Sequence, residues 1–490
     1  MDWEDWDNPD PAAVVTLTSD RAWSRLARRY EPNSVRRPFG RCLEVARANG
    51  AVAAVIEARY IDVDYRSEFS GFFSRKFAAI PDSTHRLHFF ANPVPSGRLW
   101  NLPEAVVAAY LGYVVIRPSE MGRVGRSMLT PPPDVAGWVH CSVDERVHLF
   151  GQTLVVRGVP FAQQDTELGR CAHVAAWICH RTAVLRGEVA PRPMADFSLR
   201  ADHRAAEGRP LPSEGLTALE LSGLLGDFGL PAVVYRMGAI AGSGQEPPVP
   251  KHAADDDPGR WDTRVIAVLC RYLNGGYPVV VGTHDHAFTI IGHRRRGRRW
   301  TDFVRHDDQR GPYLPVGDIL EDVDPATGHR QTWQLLLVPV PDKLWLRPEP
   351  AERMGRALML AYDKFEGGER LSRLDAGQEL AYRTYATASQ RYKESAAARR
   401  LGQTAVRELR MARLSRLVWV VEAVHRERRE AGRPSVLGEV LFDSTSSDLA
   451  PGTLAIRVPD ALLIRRTNGT LRSPLRATSR AVCSATPVQP

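Results

Sequence analysis

Apolar residues change their period several times along the chain, and the changes divide it into segments. "AVAAVIEARYID" (51–62) is an apolar run that ends in alternation, the pattern of a strand buried over its first half. "YRSEFSGFFSRKF" (65–77) places aromatic residues at helical spacing. "HRLHFF" (85–90) and "LGYVVIRP" (111–118) read as strands, the second closed by Pro118. Together these predict a mixed α/β region over residues 1–148, with a break at the "PPP" of 131–133.

A second region, 149–340, has a different order: loop, helix, loop, helix, strand, helix, strand, hairpin, strand. "CAHVAAWICHRTAVL" (171–185), "LTALELSGLLGDFG" (216–229) and "TRVIAVLCRYLNGG" (263–276) carry helical patterns, the last two ended by glycine. "PAVVYRM" (231–237), "YPVVVG" (277–282), "HAFTIIGH" (286–293), "WTDFVRH" (300–306) and "TWQLLLVPV" (332–340) read as strands. A polar loop at 242–259 is a candidate lid. Residues 341–475 are expected to form a mainly helical α+β region. There Tyr382, Tyr385, Ser389 and Tyr392 fall on one helical face, while 416–422 and 438–445 have strand character. The segment 476–490 has no period and is expected to be a flexible tail.

Composition narrows the class. A chain of 490 residues is too long for one core. Its 43% hydrophobic and 25% charged content is ordinary for a globular protein. No apolar stretch reaches membrane-spanning length and the acidic start lacks a signal-peptide pattern, so a cytoplasmic protein without a membrane partner is expected. Six scattered cysteines do not resemble a disulfide framework and read as reduced thiols. The net charge of +8 is carried almost wholly by arginine spread along the chain, so a nucleic-acid partner is not expected.

Chemistry concentrates in "QQDTELGRCAHVAAWICH" (163–180). On one straight helix Cys171, His173, Cys179 and His180 point in divergent directions, about 200° apart for the first two, so they do not form a metal site. Cys179 fits the apolar surface as a small hydrophobe. Cys171 opens the helix, where the dipole and unpaired N–H groups favour a thiolate. A cysteine nucleophile needs a base, and the base needs an acceptor to orient it. His286 begins an alternating strand, and Asp307 ends the strand that returns beside it. Gln164, seven residues before Cys171, is a candidate oxyanion donor. His293 and His284 stay open as alternatives for the base, and His306 and Asp308 for the orienting group.

The stretch "FAQQDTELGRCAHVAAW", followed by "YLNGGYPVVVG", "HAFTIIGH" and "FVRHDDQRGPY", resembles the papain-like cysteine peptidase superfamily, in particular its C39-like bacterial branch. The resemblance covers roughly residues 155–340 and departs from the family at Ala172, where glycine is usual. It implies an α+β fold in which the helix bearing Cys171 packs on an antiparallel sheet. It also implies a Cys171–His286–Asp307 triad with Gln164 at the oxyanion hole. The expected activity is hydrolysis of an amide bond in a protein or peptide substrate, with no cofactor and no metal. A transglutaminase-like acyl transferase and a catalytically silent binding module are the alternatives.

Overall fold

The computed structural model describes residues 12–31, 38–119, 123–165, 168, 171–201, 216–237, 258–296, 300–316, 321–323, 328, 330–398, 403–430, 435–459, 461–465 and 469–476. The chain forms two compact units. The first comprises 1–266, 277–296 and 300–341, and the second comprises 267–276, 297–299 and 342–490. The boundary expected at 148/149 falls inside the first unit. The fold is mixed α+β, and the pairings among the described strands are antiparallel. The polar loop 242–259, up to residue 257, and the tail beyond Arg476 lie outside the described residues.

The first unit opens on a five-stranded meander: β1 (Ala12–Thr16), β2 (Ala53–Tyr60), β3 (Thr84–Phe90), β4 (Tyr110–Ile116) and β5 (Val124–Leu129). Strand β3 is buried along its whole length and carries His85, Arg86 and His88 inward. These polar groups are tolerated because they are paired. The Arg86 guanidinium lies 2.7 Å from Glu57, and His88 Nδ1 lies 2.9 Å from the Tyr110 hydroxyl. A hairpin follows, β6 (Val143–Leu149) and β7 (Gln152–Gly158), turning at Phe150 and Gly151, both with positive φ.

The second sheet of this unit has the order β12-β11-β10-β9-β15-β8. Its strands are β8 (Ala232–Arg236), β9 (Val279–Gly282), β10 (Ala287–Arg296), β11 (Trp300–Asp307), β12 (Gly311–Pro315) and β15 (Leu335–Pro339). The short β13 (Glu321–Val323) and β14 (Arg330–Thr332) pair separately. Helix α1 (Cys171–Leu185) packs across β10 and β9. Its inner face buries Val174, Ala175, Trp177, Ile178 and Cys179.

Gly292 lies in β10 at a shift of register, where the strand runs close under residue 138. A Cβ there would stand 2.0 Å from the Trp138 carbonyl oxygen. Gly292→Ala should therefore cost about 1–3 kcal/mol, by forcing two backbones apart. Urea denaturation tests this, and a loss below about 0.5 kcal/mol, the range of an ordinary surface substitution, would contradict the close approach.

The second unit differs from the mainly helical expectation. It is built on a six-stranded antiparallel meander: β16 (Leu380–Ala388), β17 (Leu417–His425), β18 (Val436–Asp443), β19 (Thr453–Val458), β20 (Ala461–Arg465) and β21 (Leu471–Arg476). Tyr382 and Tyr385 lie in β16, and only Ser389 and Tyr392 begin a helix, Ser389–Ala398. Tyrosine and threonine favour the pleated surface, and cross-strand pairing to β17 along the whole of β16 decides the outcome. Helix α2 (Pro348–Phe365) crosses the sheet, with Gly355 close against Val421.

One row of this sheet is charged and buried. Register places Arg383 opposite Glu422, Glu422 opposite Glu439, and Glu439 opposite Arg457. All four are 5% exposed or less. Glu422 accepts from the Tyr385 hydroxyl at 2.9 Å, and Glu439 accepts from the Tyr392 hydroxyl at 2.9 Å and from Arg457 Nε at 2.8 Å. The two facing carboxylates are thus each held by a tyrosine on one side and an arginine in the row.

Candidate active site

Cys171 is the first residue of α1 and is half-buried, whereas Cys179, two turns later, is buried. Burial pushes the Cys179 thiol far up, into the range of an inert packing residue. His180 is packed edge-on between Phe197 and Phe228, at 5.3 and 5.7 Å between ring centroids, and burial lowers it to about 4. His173 is likewise buried. The four metal-like residues of this helix therefore sit in different environments.

His286 is placed by the turn from β9 to β10. The Thr283 N–H donates to the His286 carbonyl at 2.9 Å, and the His286 N–H donates to the Thr283 hydroxyl at 3.1 Å. This closed turn aims the imidazole at the end of β11. There its Nε2 lies 3.2 Å from Asp307 Oδ1. The other ring nitrogen, Nδ1, is buried and lacks a hydrogen-bond partner, and the Cys171 thiol acts on the same ring. Burial opposes the imidazolium, but it is outweighed by Asp307, then Cys171, then Asp308. The imidazole is consequently held well above the usual histidine range.

Asp307 is itself well supported. Its Oδ1 also accepts the N–H groups of Gln309 and Arg310 at 3.0 and 3.2 Å. Arg305 and Arg310 stand 3.6 and 3.8 Å from its Oδ2. Burial favours the neutral acid, yet His286 and the two arginines prevail and hold the carboxyl down at about 2. The alternatives lie elsewhere. His306 approaches the Pro160 carbonyl at 3.2 Å, and burial lowers it to about 3. The His293 ring packs on His140 at 4.4 Å, and His284 is exposed beside Asp285. His286 is the histidine that the fold brings to Cys171 and Asp307.

The loop between β7 and α1 carries Gln164, and its first residues are fixed to β5 and to Arg117. The Phe161 and Ser127 backbones exchange two hydrogen bonds of 2.9 Å. The Gln163 N–H donates to the Val124 carbonyl, and Arg117 Nη2 donates to the Gln163 carbonyl at 2.6 Å. Arg117 is fixed in turn by both Glu68 oxygens, at 3.2 and 3.1 Å. Sequence reasoning missed this arginine, because Arg117 closes a strand and resembles any terminal charge. Gln164 is half-buried, with its backbone N–H toward Asp308.

His286, Asp307 and Asp308 bring ligand-type atoms within 4.8 Å of one another. They fit a divalent cation poorly. Asp307 already accepts three hydrogen bonds on one oxygen, and two guanidinium groups beside the other repel positive charge. The donor set matches a hydrogen-bonded acid–base pair better than a metal centre. Among the described residues no helix is long and apolar enough to cross a membrane.

No family model matches the chain, and no curated protein does. Among solved structures, the crystal structure of UfSP from C. elegans is 15% identical with a TM-score of 0.23, covering 42% of this chain and 36% of its own. The match therefore spans little more than a third of that structure, and a likeness of this size carries no argument about activity.

Proposed function

We propose that the first unit is a papain-like thiol hydrolase that cleaves amide bonds in a protein or peptide substrate. The observation that carries this reading is His286, held by Asp307 on one side and interacting with the Cys171 thiol at the mouth of α1. A base fixed by an ionised carboxylate and facing a half-buried thiol is what nucleophilic acyl transfer requires.

In this mechanism the Cys171 sulfur attacks the substrate carbonyl carbon while His286 holds the thiol proton. The new C–S bond places negative charge on the carbonyl oxygen, where the Cys171 N–H and the Gln164 amide are the assigned donors. Collapse breaks the C–N bond, and the leaving amine takes the proton from His286. Water then attacks the thioester, His286 removes its proton, and the acid product leaves with the thiol restored. Asp307 keeps the imidazole in one tautomer and orientation throughout.

Alkylation of the whole chain with iodoacetamide, followed by peptide mapping, tests the assignment. Cys171, half-buried and beside His286, is expected to react at least about tenfold faster than Cys179, which is buried with its thiol pushed up. Fast labelling should vanish in Cys171→Ala and persist in Cys179→Ala. Fast labelling that survives in Cys171→Ala would remove the nucleophile from the proposal.

A further inference from the structure

The mechanism above leaves one buried group at the site unused. Asp308 is 3% exposed, and neither of its carboxyl oxygens has a hydrogen-bond partner. Its Oδ1 stands 4.0 Å from His286 Nε2. The Gln164 N–H lies near enough to favour its charged form, although it falls short of a hydrogen bond. Asp307 and Asp308 are adjacent in sequence yet differently supported. Asp307 accepts two backbone N–H groups and stands beside His286 and two arginines, whereas Asp308, among the described residues, has His286 and the Gln164 N–H nearby without a hydrogen bond to either. A carboxyl buried without partners costs free energy, so its presence beside the base calls for a role.

We propose that Asp308 is a second positioning carboxylate: when ionised it stabilises the His286 imidazolium and anchors the Gln164 backbone, so that base and oxyanion segment are set together. This rests on the thiol-hydrolase reading. The charged groups that act on it are His286 from the β9–β10 turn and Asp307 from β11; Arg305 and Arg310 stand beside Asp307, and Cys171 from α1 acts on the same imidazole. The nearby His306 is neutral and occupied with the Pro160 carbonyl.

Burial, together with the charge of Asp307 and against the pull of His286, raises the Asp308 carboxyl to about 7. The two carboxyls thus share the site as a pair that loses its protons in separate steps. Near neutral pH Asp308 passes from acid to carboxylate, and the new charge favours the imidazolium. An opposite charge at this distance shifts a histidine by about one unit or more, equivalent to about tenfold in the ion pair that carries the reactive sulfur.

The test is the pH profile of Cys171 alkylation by iodoacetamide, measured on the whole chain. Wild type is expected to show an extra rise of about tenfold centred near neutral pH, and Asp308→Asn is expected to lack that step while keeping fast, His286-dependent labelling. An unchanged step in Asp308→Asn would overturn the proposal. If labelling is slow or independent of His286 in wild type, the thiol-hydrolase reading fails instead. Asp308→Asn removes a buried charge and is expected to fold. A second measurement is spectroscopic: infrared spectra with isotope-labelled aspartate should show a protonated carboxyl band in wild type at mildly acid pH that disappears at mildly alkaline pH and is missing from Asp308→Asn. Identical bands in wild type and Asp308→Asn overturn the proposal.

Discussion

His286→Ala is expected to slow amide hydrolysis by about 1,000- to 10,000-fold, with the fold retained. In the proposed mechanism the substitution removes the group that holds the thiol proton and later delivers it to the leaving amine. It also removes the imidazole beside the sulfur, so alkylation of Cys171 should slow. The fold should survive because Asp307 keeps its other supports, namely the Gln309 and Arg310 N–H groups and the guanidinium groups of Arg305 and Arg310. The His286 pKa is raised on folding, so its stabilising contribution is complete below about 6.5, the ordinary histidine value, and is lost as pH rises through the folded value. The variant should accordingly lose more stability at mildly acid than at alkaline pH. Initial rates on peptides cleaved by wild type, with thermal melts at two pH values, provide the check. Hydrolysis within about tenfold of wild type would show that another group is the base.

Arg457→Met should destabilise the second unit by about 3–5 kcal/mol. The side chains are similar in volume, so the loss comes chiefly from charge. Arg457 Nε donates to Glu439 at 2.8 Å, and Glu439 faces Glu422 across the β17–β18 pair. Without the arginine, two buried carboxylates face each other with Arg383 the one cation left in the row. Glu439 then has the Tyr392 hydroxyl to lean on and is expected to take up a proton. The difference between variant and wild type should therefore shrink as pH falls. Denaturant unfolding at neutral and mildly acid pH measures both effects, and a loss under about 1 kcal/mol, the value of an exposed pair, would mean that the row contributes no more than a surface ion pair.

The elements around the proposed site were legible in the sequence because each has one clean signal. Helix α1 is a continuous apolar stretch opened by Cys171, β9 is a short apolar run, and β10 opens in alternation after turn residues. The second unit was less legible. Strand β16 is buried on both faces, so it lacks alternation, and its tyrosines happen to repeat at helical intervals. The β6–β7 hairpin alternates cleanly in burial, yet its turn is Phe150–Gly151 rather than an asparagine or aspartate turn, and it escaped notice. The Arg383–Glu422–Glu439–Arg457 row could not be read at all, since its members are separated along the chain and each resembles a surface charge. Similarly, "HDD" at 306–308 gives no sign that three adjacent ionisable residues face different partners.

The spacing of the site along the chain sets an order of assembly. His286 and Asp307 are 21 residues apart and joined through one meander. Cys171 is more than a hundred residues upstream, and docking α1 on β10 closes a much longer loop. Local contacts form early and distant ones late. The base and its carboxylate are thus expected to meet first, and the thiol to join a pair already built. Until that late docking the sulfur has no imidazole beside it, so under the proposed mechanism the unfinished chain carries no activated nucleophile.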